Sequence, residues 1–100
     1  MRKVLLSKRA SNKLEKLLEY LELEWSHKVK KNFISKLDKT LEHISQYPES
    51  AQKSDLVKGL HRVIVTKQTT AYYKFDSKSI KVVTIFDTRM DPKRLKRETK

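Results

Sequence analysis

The residues of this chain best suited to chemistry are its cations. The closing stretch FDTRMDPKRLKRETK, residues 86–100, carries Arg89 and then Lys93, Arg94, Lys96 and Arg97. A guanidinium presents a planar fork of donors that grips a phosphate or a carboxylate through two parallel hydrogen bonds. Arg89 could therefore clamp an anionic partner, or close a structural salt bridge on nearby Asp87 or Asp91. Arg62, Lys67 and Lys74 can join it on a basic sheet surface; the plainer reading is ordinary solvated charge that keeps a chain in solution. His61 is the single histidine of the β-rich half. With an intrinsic pKa of ~6.5 an imidazole can act as a general base, although a half-exposed strand residue is the commoner case. Tyr72 and Tyr73 are adjacent, so in a strand they face opposite ways. Tyr73 is assigned to the core, and Tyr72 to an open face where it could stack on a base or a partner.

Other chemistries are excluded by what is missing. The chain has no cysteine, which removes disulfides, thiolate nucleophiles and Cys-based zinc sites. Three histidines without ligand spacing do not make a metal centre. One glycine cannot build a phosphate-cradling loop. No cofactor is expected.

The elements that must position these residues follow from periodicity. KVLLS (3–7) reads as a short first strand, with Ser7 placed to cap a helix. Ala10, Leu14, Leu17, Leu18, Leu21 and Trp25 then fall on one helical stripe, predicting a helix from about Lys8 to Trp25 with Leu23 off the stripe. Ser26 caps a second helix, whose stripe is Val29, Phe33, Leu37, Leu41, Ile44 and Tyr47 and which Pro48 stops. His27 and His43 lie off the stripes and are expected at the surface. Residues 47–60 read as a loop holding the lone glycine, Gly59. Beyond it the period becomes two: 60–67, 69–76 and 80–89 are strands rich in β-branched and aromatic residues, joined by short polar turns. The expected fold is α+β: an N-terminal strand and an antiparallel α-hairpin packed on a mainly antiparallel sheet, in the order β-α-α-β-β-β, with the second sheet face partly open. One hundred residues suffice for a single domain, with a basic tail from about residue 93.

Charge narrows the partners. The net charge is +12, with an excess of +4 in residues 1–50 and +8 in residues 51–100. Such a surface draws nucleic acid, acidic protein or anionic membrane. No apolar run approaches the ~18 residues of a membrane span, and MRKVLLSKRA is too short and too soon interrupted by charge for a signal peptide. A soluble, cytoplasmic protein is expected, without a membrane partner.

In this order, SKRASNKLEKLLEYLELEW, ISQYPES, VKGLHRVIV, TTAYYKF and VVTIFDTRMDPKRL resemble the RelE/ParE superfamily of bacterial type II toxins over nearly the whole chain. The shared marks are a leucine-rich first helix, a proline after the second helix, a glycine and a basic residue entering the next strand, a tyrosine pair, and a last strand ending in Arg with Asp-Pro nearby. The resemblance implies a toxin bound in a hetero-oligomer by a cognate, typically acidic, antitoxin. It offers two activities. RelE-like members cut mRNA on the ribosome, which needs acid–base groups and cations around an attacked phosphate; ParE-like members poison DNA gyrase and lack that set. Of the nuclease set only Arg89 has a clear match. The arginine before the aromatic strand falls near Thr70, the C-terminal tyrosine near Leu95, and the early lysines near His61 and Val63, with Arg62 and Lys67 close by as partial substitutes. The departure favours the ParE-like branch. The alternatives are a nuclease using Arg89, Arg62, Lys67 and His61, or a non-toxic basic binding module. As target- or antitoxin-binding residues the candidates are Arg62, Lys67, Tyr72, Arg89, Lys93, Arg94 and Arg97.

Overall fold

The computed structural model describes residues 2–54 and 59–89. Strand β1 (Lys3–Leu6) leads directly into helix α1 (Lys8–Glu24), and α2 (His27–Gln46) returns beside it. A 3₁₀ turn at Pro48–Ser50 and a two-residue strand β2 (Gln52–Lys53) follow, then β3 (His61–Ile64), β4 (Thr69–Phe75) and β5 (Ser79–Asp87). The sheet order is β1-β5-β4-β3-β2. β1 runs parallel to β5, and every other pairing is antiparallel.

Both helix starts are fixed by serine. Ser26 Oγ accepts from the Val29 N–H at 3.1 Å, satisfying a donor that the first turn would leave bare. Ser7 does the same for Ala10 at 3.0 Å and also donates its hydroxyl to the Val83 carbonyl at 2.6 Å. That carbonyl is available because Val83 is the extra residue where Tyr72 pairs with Thr84 and Tyr73 with Val82. The bulge in β5 and the cap of α1 thus form one joint.

The helical stripes meet the sheet as their periodicity predicts. Ala10, Leu17 and Leu21 of α1 and Phe33, Leu37 and Ile44 of α2 are buried with Ala71, Tyr73, Ile80, Val82 and Ile85. Tyr73 is fully buried, and its hydroxyl donates to the Pro48 carbonyl at 2.7 Å. Gly59 has φ +88°, the left-handed region where a side chain would strain the backbone.

Several expectations are corrected. Trp25 and Tyr47 leave the core stripes and are 54% and 59% exposed. Each is the C-cap of its helix, with non-helical dihedrals (φ −117°, ψ −89° and φ −130°, ψ 68°), so the side chain swings off the face that the 3.6-residue period assigns to it. The strand expected over 60–67 spans only His61–Ile64. Thr66 Oγ1 accepts from the N–H groups of Gln68 and Thr69, both at 3.1 Å, and turns the chain early. The segment read as loop contains β2, which pairs with β3. Tyr72 is not open: it is 2% exposed. It faces away from the helical layer, but β4 is the central strand, so Tyr72 is flanked in register by Arg62 and Thr84.

Candidate functional site

The most organised polar group lies where β5 ends against the helical hairpin. Register places Thr69 of β4 opposite Asp87 of β5. Two residues on, the chain turns and Arg89 reaches back. Its Nε donates to Asp87 Oδ1 at 3.0 Å, its Nη2 to Oδ2 at 2.7 Å, and its backbone N–H to Oδ1 at 2.8 Å. Thr69 Oγ1 also donates to Oδ2. Asp87 is buried and Arg89 mostly so, with side-chain exposures of 1% and 15%. Burial alone would push the Asp87 carboxyl up; the donors of Arg89 and Thr69 outweigh it and hold the group below its ordinary value. Hydrogen bonding to Asp87 likewise raises Arg89, against its own desolvation.

Arg89 is tied to the helices as well. Its guanidinium carbon sits 5.5 Å from the centre of the Trp25 ring, within cation–π range. Tyr20 of α1 donates its hydroxyl to the Arg89 carbonyl at 3.3 Å. Beside this joint a cleft of about 200 Å³ is lined by Asn32, Phe33 and Lys36 of α2 together with Gln68 and Arg89. An arginine whose fork is filled by a buried carboxylate presents little net charge to a phosphate. What this corner offers a partner is an exposed indole held in place from behind.

The remaining candidates are not gathered here. His61 is half-buried on the helix-facing side, with ring centres 5.5 Å from Tyr73 and 5.2 Å from Phe75. Its Nδ1 lies 3.1 Å from the Ala51 carbonyl, which can only accept, so Nδ1 is the donor, and in a neutral ring the lone pair falls to Nε2. His61 pairs with Tyr73 while Asp87 pairs with Thr69, four residues along β4, roughly 13 Å at strand rise. Arg62 and Lys74 are exposed on the opposite sheet face, away from the helices, and Lys67 is exposed in the turn before β4. Arg62 reaches Gln52 Oε1 at 3.3 Å. Arg89, Arg62, Lys67 and His61 therefore do not form one constellation. Lys93, Arg94, Lys96 and Arg97, with Asp91 and Leu95, lie outside the described residues.

Sequence reasoning missed Thr69, Tyr20 and Trp25 as parts of the Arg89 joint. The Thr69–Asp87 pairing becomes visible only once the register is known. Nothing in the local pattern marks Trp25 as exposed.

A helical hairpin on one face of a sheet, with a parallel first strand beside the last, is the architecture expected of the RelE/ParE fold. The match in sequence is more specific: the family of the ParE toxin of type II toxin–antitoxin systems, parDE, matches residues 4–92, so the chain belongs to that family. It is the toxin component of a type II toxin–antitoxin system, whose other component is an antitoxin. Among solved structures it is similar to a chain of the chromosomal ParDE toxin–antitoxin system from P. aeruginosa, with TM-score 0.70 and 14% identity over 87% of this chain and 96% of that one. It is also similar to the YoeB dimer of Staphylococcus aureus, with TM-score 0.59 and 15% identity over 85% of this chain and 94% of that one. At these identities the likeness is one of fold. No curated protein matches the chain. None of the described helices is long and apolar enough to cross a membrane.

Proposed function

We propose that this toxin arrests growth by protein contact on DNA gyrase, without cutting RNA, and that an acidic antitoxin neutralises it. The observation that carries the reading is the state of Arg89. It is the one clear match to the nuclease set, and the Nε–Nη2 edge of its fork is engaged by Asp87, whose side chain is 1% exposed. A phosphate-clamping arginine needs a free fork. Among the described residues, the other candidate cations lie on a different face or in a turn, so no described pair of groups stands ready to move protons at a common phosphate. The charge of +12 supports an acidic antitoxin by simple complementarity. Purified toxin added to gyrase should inhibit supercoiling and trap cleaved DNA. Unchanged supercoiling at excess toxin would remove this branch.

One observation favours the second reading, a ribosome-dependent mRNA endonuclease. His61 has its Nδ1 proton committed to Ala51, which leaves Nε2 as a lone-pair acceptor. Primer extension on translated mRNA after induction separates the two: codon-phased cuts support the nuclease, and intact mRNA during growth arrest sinks it.

A further inference from the structure

We propose that the sheet face turned away from the helices binds the phosphate backbone of double-stranded DNA through Lys3, Lys74, Lys81 and Arg62. This goes beyond contact with gyrase, which by itself requires no nucleic-acid surface on the toxin. The choice of DNA over RNA rests on the gyrase reading, because DNA is the polyanion present at that target.

Register gives the argument its starting point. Lys74 of β4 stands directly opposite Lys81 of β5. Like charges directly opposite on one sheet face destabilise the pairing, and a bound anion would relieve them. Val4 pairs with Ile80 on the core side, so by alternation Lys3 and Lys81 share the other face. Arg62 pairs with Tyr72, two residues from Lys74 and on that same face. Lys3, Lys81, Lys74 and Arg62 thus run across the adjacent strands β1, β5, β4 and β3, and all are exposed. Lys3 is level with Ser79 and Arg62 with Tyr72, so the row runs diagonally, about 14 Å across the strands and about 13 Å along them, about 20 Å from end to end, long enough to meet more than one phosphate of a duplex backbone.

The charges are uncompensated. Among the described residues, Lys3, Lys74 and Lys81 make no ion pair. Strand alternation puts no Asp or Glu of β1, β3, β4 or β5 on this face. The nearest acid in sequence, Asp76 in the β4–β5 turn, accepts through Oδ1 from the backbone N–H groups of Lys78 and Ser79, both at 2.8 Å.

The make-up of the patch selects the ligand. A protein partner is held mainly by apolar or aromatic anchors at the centre of its footprint. Here the centre is two lysine heads, and the exposed apolar side chains of this face are two: Leu5, 41% exposed and beside Lys81, and Ile64, 65% exposed on β3. Single-stranded nucleic acid is held by exposed aromatic platforms. The aromatic rings of this face, Tyr72 and Phe86, are 2% and 7% exposed. Point charges without stacking or base-edge readers suit a duplex backbone, bound without regard to sequence.

The test is the anisotropy of a labelled 20-base-pair DNA duplex titrated with full-length toxin from 50 to 200 mM salt. The variant Lys74→Gln/Lys81→Gln is compared with Lys31→Gln/Lys39→Gln, which removes the same charge from exposed positions of α2. Neutralising Lys74 and Lys81 relieves their repulsion, so the fold should persist, and thermal melts check it. The sheet variant should bind about tenfold more weakly, with a log–log salt slope shallower by about 2, roughly one per lysine removed. The helix variant should keep the slope and most of the affinity. Equal losses in both variants would overturn the proposal, as would no duplex binding by the wild type. Preference for a single-stranded RNA 20-mer through the same lysines would overturn the choice of DNA. Binding is read without gyrase, so failure of the gyrase assay and failure of this proposal are separate results.

Discussion

Asp87 is the buried charge around which the Arg89 joint is built. Its carboxylate accepts from Arg89 and Thr69 while 1% exposed. Removing one member of a buried pair strands the other, typically at a cost of ~3–5 kcal/mol, a large share of the ~5–15 kcal/mol that holds a small domain. Asp87→Ala should therefore lower the urea midpoint sharply. Asp87→Leu/Arg89→Met, which removes both charges, should be less destabilised than either single change. The pH dependence has a definite sign. Because the folded carboxyl is held below its unfolded value, its contribution is fully present above the unfolded pKa of ~4 and is lost as pH falls through the folded pKa. Acid unfolding of the wild type should show this loss, and Asp87→Asn should flatten it. The sequence alone offered Asp87 and Asp91 as alternative partners for Arg89. The structure shows Arg89 on Asp87, and Thr69, which bonds the same carboxylate, stands opposite it through register and not through local pattern. Trp25 was misread because the period assigns a face only while the backbone stays helical.

At the scale of elements, both helices and the three main strands were legible. Leucine spacing, the caps at Ser7 and Ser26, the stop at Pro48 and the β-branched alternation are signals written locally. β2 was not legible: two exposed residues carry no periodicity, and the pairing with β3 is what makes them a strand. The seat of β1 was not legible either, since KVLL fits an edge or a centre, parallel or antiparallel. The joint between β1, α1 and the β5 bulge separates the two caps experimentally. Ser26→Ala removes a cap alone and should cost about 1 kcal/mol. Ser7→Ala also removes the bond to the Val83 carbonyl, adding about another 1 kcal/mol. Chemical denaturation of both variants should rank Ser7→Ala as the less stable; equal loss would mean that the bulge contact contributes nothing.

For the whole molecule, the two faces of the sheet divide the work. The helix-facing side consumes its functional-looking residues in packing: Arg89 is locked on Asp87, and His61 is stacked on Tyr73 and Phe75. On the outer side, among the described residues, Lys3, Lys74 and Lys81 make no ion pair. A basic balance was readable from composition, but the placing of Lys3, Lys81, Lys74 and Arg62 on one face came from strand order, which no short motif encodes. On the proposed reading, this toxin acts by what it touches. The most direct test is to trap covalent gyrase–DNA complexes from cells after the toxin is induced without its antitoxin. Their accumulation, with translated mRNA intact, is the predicted result. Growth arrest without trapped gyrase and with codon-phased mRNA cuts would contradict it.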